Sequence, residues 1–238
     1  SADDQTLKTQ IAAGAGVMIA PRYPGSSRYE VLPLPYFDVS DGGVEFNGID
    51  DVRLRLFGLE HVEGGVITGY ARGRQESDSP RLKGLGDITD GVVGGAFVRY
   101  REGPFSITGS YSGEVMGEDT GSKLSLDGEL DLPITDWASA YVSADITYGD
   151  SHYMSANFGI TPLQSMKSGL AAFDASAGLA NAGIEAGVAV DFAASWRLFG
   201  SLRYERLLND AAASPIVDTP NQAMATLGLA YTFDFKGF

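Results

Sequence analysis

The chain has no cysteine among its 238 residues, so it offers no disulfide framework, thiol nucleophile or thiolate metal site. Histidine is almost as scarce, with His61 and His152 the only two. Basic residues are the minority: 17 Lys and Arg stand against 31 Asp and Glu, a formal charge of -14. That balance argues against binding nucleic acid through a broad basic surface. No run of about 18 or more apolar residues occurs, which excludes a membrane-spanning helix. The most apolar region, residues 170–196, is interrupted by Asp174, Glu185 and Asp191. A signal peptide is missing too. Ser1-Ala2-Asp3-Asp4 reads as a mature end left after cleavage, with residues 1–9 flexible.

What is present is alternation. In the last stretch Leu227, Leu229, Tyr231, Phe233 and Phe235 share one parity, and Thr226, Gly228, Ala230, Thr232 and Asp234 the other. This is the period-two signature of a strand with one apolar and one polar face. The pattern recurs at 10–20, 28–40, 61–74, 92–101, 105–115, 124–132, 138–148, 171–179, 184–194 and 196–208, and 44–59 holds one strand or two. Pro33 and Pro35 lack ladder donors and point to an edge, a bulge or an unpaired end. Residues 75–90 and 209–222 read as loops and 149–169 as a long connection. The expectation is an all-β fold, a single antiparallel transmembrane β-barrel domain over 1–238. It has about twelve strands (ten as the alternative) around a polar lumen.

The polar faces favour a membrane barrel over a soluble one. They carry Arg99, Glu114, Lys123, Asp127, Glu129, Asp131, Asp145, Asp191, Arg197, Arg203 and Glu205, a set suited to a hydrated interior with lipid outside. Tyr100, Tyr111, Tyr148, Trp196, Tyr204 and Tyr231 lie on the apolar parity, as interfacial girdles would. A hairpin over 183–208, with Phe192 opposite Trp196, places Asp191 opposite Arg197 and Glu185 opposite Arg203 as lumen ion pairs. A slip by two would set Glu185 against Glu205 instead, a repulsive pair.

Chemistry is thinner. Asp150-Ser151-His152 holds the three residue types of a hydrolytic triad, but neighbours in a loop rarely point at one another. Asp127, Glu129 and Asp131 stand about 7 Å apart along one face, too far to ligate one ion together. Gly84-Leu85-Gly86 is followed by neither the lysine nor the helix of a phosphate loop. No catalytic, cofactor or metal residue is therefore assigned. In the 209–222 loop, Asn209 and Asp210 open a short helical turn that Ser214-Pro215 stops. The apolar Pro215-Ile216-Val217 that follows makes this loop a candidate plug of the lumen mouth or a docking loop for a partner.

Several segments together resemble the MipA/OmpV family of Gram-negative outer-membrane proteins. They are Pro21-Arg22-Tyr23-Pro24-Gly25-Ser26 with Leu32-Pro33-Leu34-Pro35, Gly73-Arg74, Leu82-Lys83-Gly84-Leu85-Gly86-Asp87, Tyr153-Met154 with Phe158-Gly159-Ile160-Thr161, and residues 207–217. Asn157 stands where the family pattern would have an aromatic. The resemblance implies an outer-membrane scaffold, without enzymatic activity, that links a lytic transglycosylase to a peptidoglycan-synthesising penicillin-binding protein. Its surroundings would be outer-membrane lipid and lipopolysaccharide, with no nucleic acid. The alternatives are a small-solute pore and, behind it, an outer-membrane hydrolase or an adhesin.

Overall fold

A computed structural model of the protein describes residues 9–39, 43–48, 51–118, 120–193 and 195–235. The stretch expected to be flexible, 1–9, lies outside them except for Thr9, which already belongs to the first strand. Twelve strands follow one another: β1 (Thr9–Pro21), β2 (Tyr29–Val39), β3 (Val44–Gly48), β4 (Asp51–Gly58), β5 (Val62–Ala71), β6 (Gly91–Glu102), β7 (Phe105–Met116), β8 (Ser122–Thr135), β9 (Ala138–Gly149), β10 (Gly178–Phe192), β11 (Trp196–Leu207) and β12 (Asn221–Phe235). All belong to one antiparallel sheet in the order β2-β1-β12-β11-β10-β9-β8-β7-β6-β5-β4-β3. The sheet thus curls until β1 pairs with β12, Val17 opposite Leu227. β2 and β3 meet at the remaining seam, where no ladder forms among the described residues. Pro33 and Pro35 lie in β2, the strand that ends the hydrogen-bonded order, where missing donors cost least.

Side-chain parity decides which face meets which surroundings. Leu126, Val142, Ile184, Val188, Leu198, Leu202 and Leu227 point outward and are exposed, Leu202 by 71%. Aromatic side chains gather toward both ends of this belt, and Trp196, Tyr231 and Phe233 stack edge to face in one cluster. Strands such as β8, β10 and β12, of 14, 15 and 15 residues, exceed the length of about 10 that a tilted strand needs to span a bilayer. No helix among the described residues is long and apolar enough to cross one.

Residues 44–59, open between one strand and two in the sequence, form two, β3 and β4. One expectation about the strands is corrected. Residues 171–179 and 184–194 are not two strands; one strand, β10, begins at Gly178, and 171–177 lies outside the wall. Asn181-Ala182-Gly183, between the two stretches, runs through the sheet, past a bulge between Leu179 and Asn181. The long connection over 149–169 folds into α1 (Ser151–Phe158) and α2 (Pro162–Ser168). The two ends of the barrel therefore differ. Tight turns near 59–61, 103–104 and 136–137, and the β10–β11 connection, share one end with Thr9 and Phe235, and the long loops gather at the other.

Candidate functional site: a capped, charged lumen

The long loops build a cap with its own apolar core. Asp150 opens α1 by accepting the Tyr153 N–H, 2.7 Å, and also takes the Ser122 N–H, 3.0 Å. That is a helix N-cap, and Ser151 and His152 follow it on the first turn, where adjacent residues do not face each other. Thr161 and Gln164 cap α2 reciprocally, with Pro162 at the first helical position. A third helix, α3 (Asn209–Ala213), ends at Ser214. Tyr23, Leu82, Leu85, Ile160 and Ile216 form one buried cluster, and Met154, Phe158, Leu207 and Ala211 belong to another. Nearly every segment that carries the family resemblance contributes to these clusters, although the segments are scattered along the chain.

Polar contacts fasten the loops to each other. Gly25, at φ 92°, presses its backbone against Val217, where a Cβ would stand 2.5 Å from a Val217 methyl. Its carbonyl accepts the N–H groups of Asp218 and Thr219. The buried Gln222 accepts the Gly25 N–H and donates to the Ser26 carbonyl. Arg81 binds the Asp218 carboxylate and the Pro215 carbonyl. Partial burial pushes the Asp218 carboxyl up, but hydrogen bonds from Arg81 and Ser27 outweigh it and hold the group below the usual aspartate range. Burial pushes the Tyr23 phenol up. Arg74, itself buried, donates to the carbonyl of Asn157 at 3.0 Å. Arg72 ties the end of β5 to Glu30 on β2, across the β3–β4 hairpin.

Each residue of the candidate plug is placed in this cap. The Asn209 side chain donates to the Leu179 carbonyl, and Asp210 accepts the Ser176 N–H. The Ser214 hydroxyl donates to the Phe158 carbonyl at 2.6 Å, Ile216 is fully buried, and Val217 packs on Gly25. Pro215-Ile216-Val217 thus finds its apolar surroundings within the chain.

Below the cap lies a cavity of about 950 Å³. Its wall is laid out in cross-strand rows. One row reads Arg99, Thr108, Asp127, Asp145, Gly183, Glu205 and Gln222 from β6 to β12; the next reads Arg101, Ser106, Glu129, Ser143, Glu185, Arg203 and Met224. Arg99 reaches Glu45 at 2.7 Å and Glu63 at 2.9 Å and donates to Thr108. Arg53 binds Asp51, and both guanidinium groups lie over the Phe97 ring.

The β10–β11 hairpin sets Phe192 opposite Trp196, Asp191 opposite Arg197 and Glu185 opposite Arg203. Arg197 holds Asp191 through two contacts of 2.6 and 2.9 Å. Glu185 and Arg203 stand opposite each other but do not form the expected ion pair. Arg203 instead reaches over β10 to Asp145 at 2.6 Å and along its own strand to Glu205 at 3.0 Å. Gly183 permits this, because a Cβ there would stand 2.5 Å from the guanidinium. Glu185 accepts the Tyr141 hydroxyl at 2.5 Å. Sequence reasoning missed the Arg203–Asp145 contact because it passes over a strand, where pairwise register gives no signal; Arg203–Glu205 runs along one strand and Tyr141–Glu185 is a diagonal between neighbours. Among the described residues no group of three His, Asp or Glu side chains could hold a metal ion.

Residues 13–233 match the family described as MltA-interacting protein MipA. A search of the curated proteins returns no match. Among solved structures, the NanC porin aligns over 94% of this chain and 98% of its own at 8% identity and TM-score 0.44. An outer-membrane channel from Pseudomonas putida F1 aligns over 98% and 99% at 10% identity and TM-score 0.44. The translocator domain of the autotransporter NalP from Neisseria meningitidis aligns over 97% and 90% at 11% identity and TM-score 0.43.

Proposed function

The chain belongs to the MltA-interacting protein MipA family, and on that premise we propose that it is a scaffold for wall metabolism, holding a lytic transglycosylase near a peptidoglycan-synthesising penicillin-binding protein. The setting is an outer-membrane β-barrel, with the outward apolar belt in lipid. The observation that carries the scaffold reading over the pore is the folded cap. One mouth of the lumen is filled by loops with a hydrophobic core of their own, tied to one another by Gln222, Arg81 and Ser214. The lumen beneath mixes both signs of charge, most of them paired, which favours occlusion over a uniform selecting field.

In outer-membrane barrels short turns face the periplasm and longer loops the outside. The turn end is then the side offered to enzymes of the wall, and Leu59 and Trp137 are exposed there by 75% and 58%. The test is reconstitution of the barrel in nanodiscs with a lytic transglycosylase and a penicillin-binding protein. Co-elution of both enzymes, lost on L59D/W137A, is the expected outcome. Planar-bilayer recording should give little or no current; a steady, large, ion-selective current would establish the pore instead.

A further inference from the structure

We propose that the lumen wall of β7, β8 and β9 is a binding site for small organic diammonium compounds, anchored by Asp127 and Glu129. The two side chains project from β8 into the cavity, about 7 Å apart along the strand, and neither forms an ion pair among the described residues. The basic groups around them are engaged elsewhere. Arg99 is held by Glu45 and Glu63, Arg203 by Asp145 and Glu205, and Arg53 by Asp51. Arg101 approaches Asp131 at 3.9 Å. Asp127 also stands directly opposite Asp145, a like-charge pair that destabilises a ladder unless a cation intervenes. Arg203 supplies that cation to Asp145 alone.

A second, independent feature points the same way. Ser106 and Ser143 flank Glu129 in its row, from β7 on one side and β9 on the other. They are 3% and 8% exposed and line the same cavity, and neither has a hydrogen-bond partner among the described residues. Each hydroxyl is thus left facing the cavity, where a ligand's N–H can complete it. An ammonium group donates three N–H bonds and carries the charge Glu129 lacks, so one bound at Glu129 would meet the carboxylate and one of the two flanking hydroxyls. A second ammonium would meet Asp127, and a four-carbon diamine spans that separation when extended. A single metal ion does not fit, because carboxylates this far apart cannot share one.

The site rests on the geometry of the wall and is independent of the scaffold reading. The experiment is calorimetric titration of the purified barrel in detergent with 1,4-diaminobutane and, separately, 1-aminobutane, at fixed ionic strength. Saturable binding of the diamine at one per chain is expected, with the monoamine about tenfold weaker or more. D127N/E129Q should weaken the diamine by about tenfold or more and S106A/S143A by a few-fold, whereas D191N, at the turn end, should match the unaltered chain. Heat-modifiable gel migration checks that each variant is folded. If D127N/E129Q does not fold, S106A/S143A decides. Absence of saturable binding, or unchanged affinity in the folded variants, would overturn the proposal.

Discussion

The cap and the barrel wall solve opposite solvation problems with one chain. In the cap, Leu82, Met154, Phe158 and Ile216 are buried and charged groups sit at the margins. In the wall the apolar residues are outside, Leu202 and Ile184 among them, and Arg99, Asp145 and Arg203 are inside. The cap obeys the rule of a small water-soluble domain, in which burying apolar surface is the gain. The wall gains nothing by exposing leucine to water and is stable only against lipid, with every interior strand paired on both sides. The difference shows that no single inside-outside rule applies to a chain of this kind; each segment must be judged by the solvent on its own outer face.

Four perturbations would break or sharpen that contrast. The largest effect is expected from Ile216→Ala, which empties a fully buried position in the cap. A loss of about 2–5 kcal/mol of local stability should appear as faster hydrogen exchange over 209–220, with exchange in the wall unchanged. The converse is Leu202→Arg near the middle of β11. A charge on the lipid face there should cost about 2–4 kcal/mol in refolding titrations from urea into bilayers, while a substitution to another aliphatic residue should be nearly neutral.

A smaller effect, about 1 kcal/mol, is expected from Gly183→Val. It alters no charge but pushes Arg203 off Asp145, leaving Asp145 opposed to Asp127. If stability does not fall, or if Arg203→Met in the Gly183→Val background costs as much as it does alone, the bridge across β10 is not a coupled unit. The smallest is Asp218→Asn. Its partner Arg81 is wet, so the loss should stay below about 1 kcal/mol. The folded carboxyl lies below its ordinary value, so its contribution is complete above the unfolded value of about 4 and fades as pH falls through the folded one. Protease sensitivity of the 209–220 loop should therefore be flat from neutral pH down to about 5 and rise only in stronger acid.

Much of the wall was legible in the sequence. Period-two alternation at Phe105 to Val115 and Leu124 to Leu132 places those strands within a residue or two at most of their ends, because a one-residue error would turn leucine into the lumen. The charge argument set Asp191 opposite Arg197, a contact between adjacent strands. It failed at Glu185 because Arg203 is long and Gly183 leaves an open slot, and pairwise register does not register a slot. Of the cap helices, α3 was legible at Asn209 to Ala213, stopped by Ser214-Pro215. The other two, α1 and α2, were missed although Thr161-Pro162-Leu163-Gln164 holds a capping box with proline at the first position and Asp150 is a good N-cap. Short helices that lie between strands lack a long periodic face to announce them.

By itself, then, the sequence determined the solvent on each side of the strands, through alternation that backbone pleating makes obligatory. It also carried the family membership in segments that look unrelated along the chain. What only the tertiary structure decided is how those segments meet. Tyr23, Leu82, Ile160 and Ile216 are drawn together by closure of the sheet, which brings β1 against β12 and hence loop 22–28 against loop 208–220. Likewise, that Asp127 and Glu129 are left without a counter-charge depends on which arginine reaches which carboxylate across the lumen. That choice is set by side-chain length and by the room a glycine leaves, quantities that exist only once the barrel is closed.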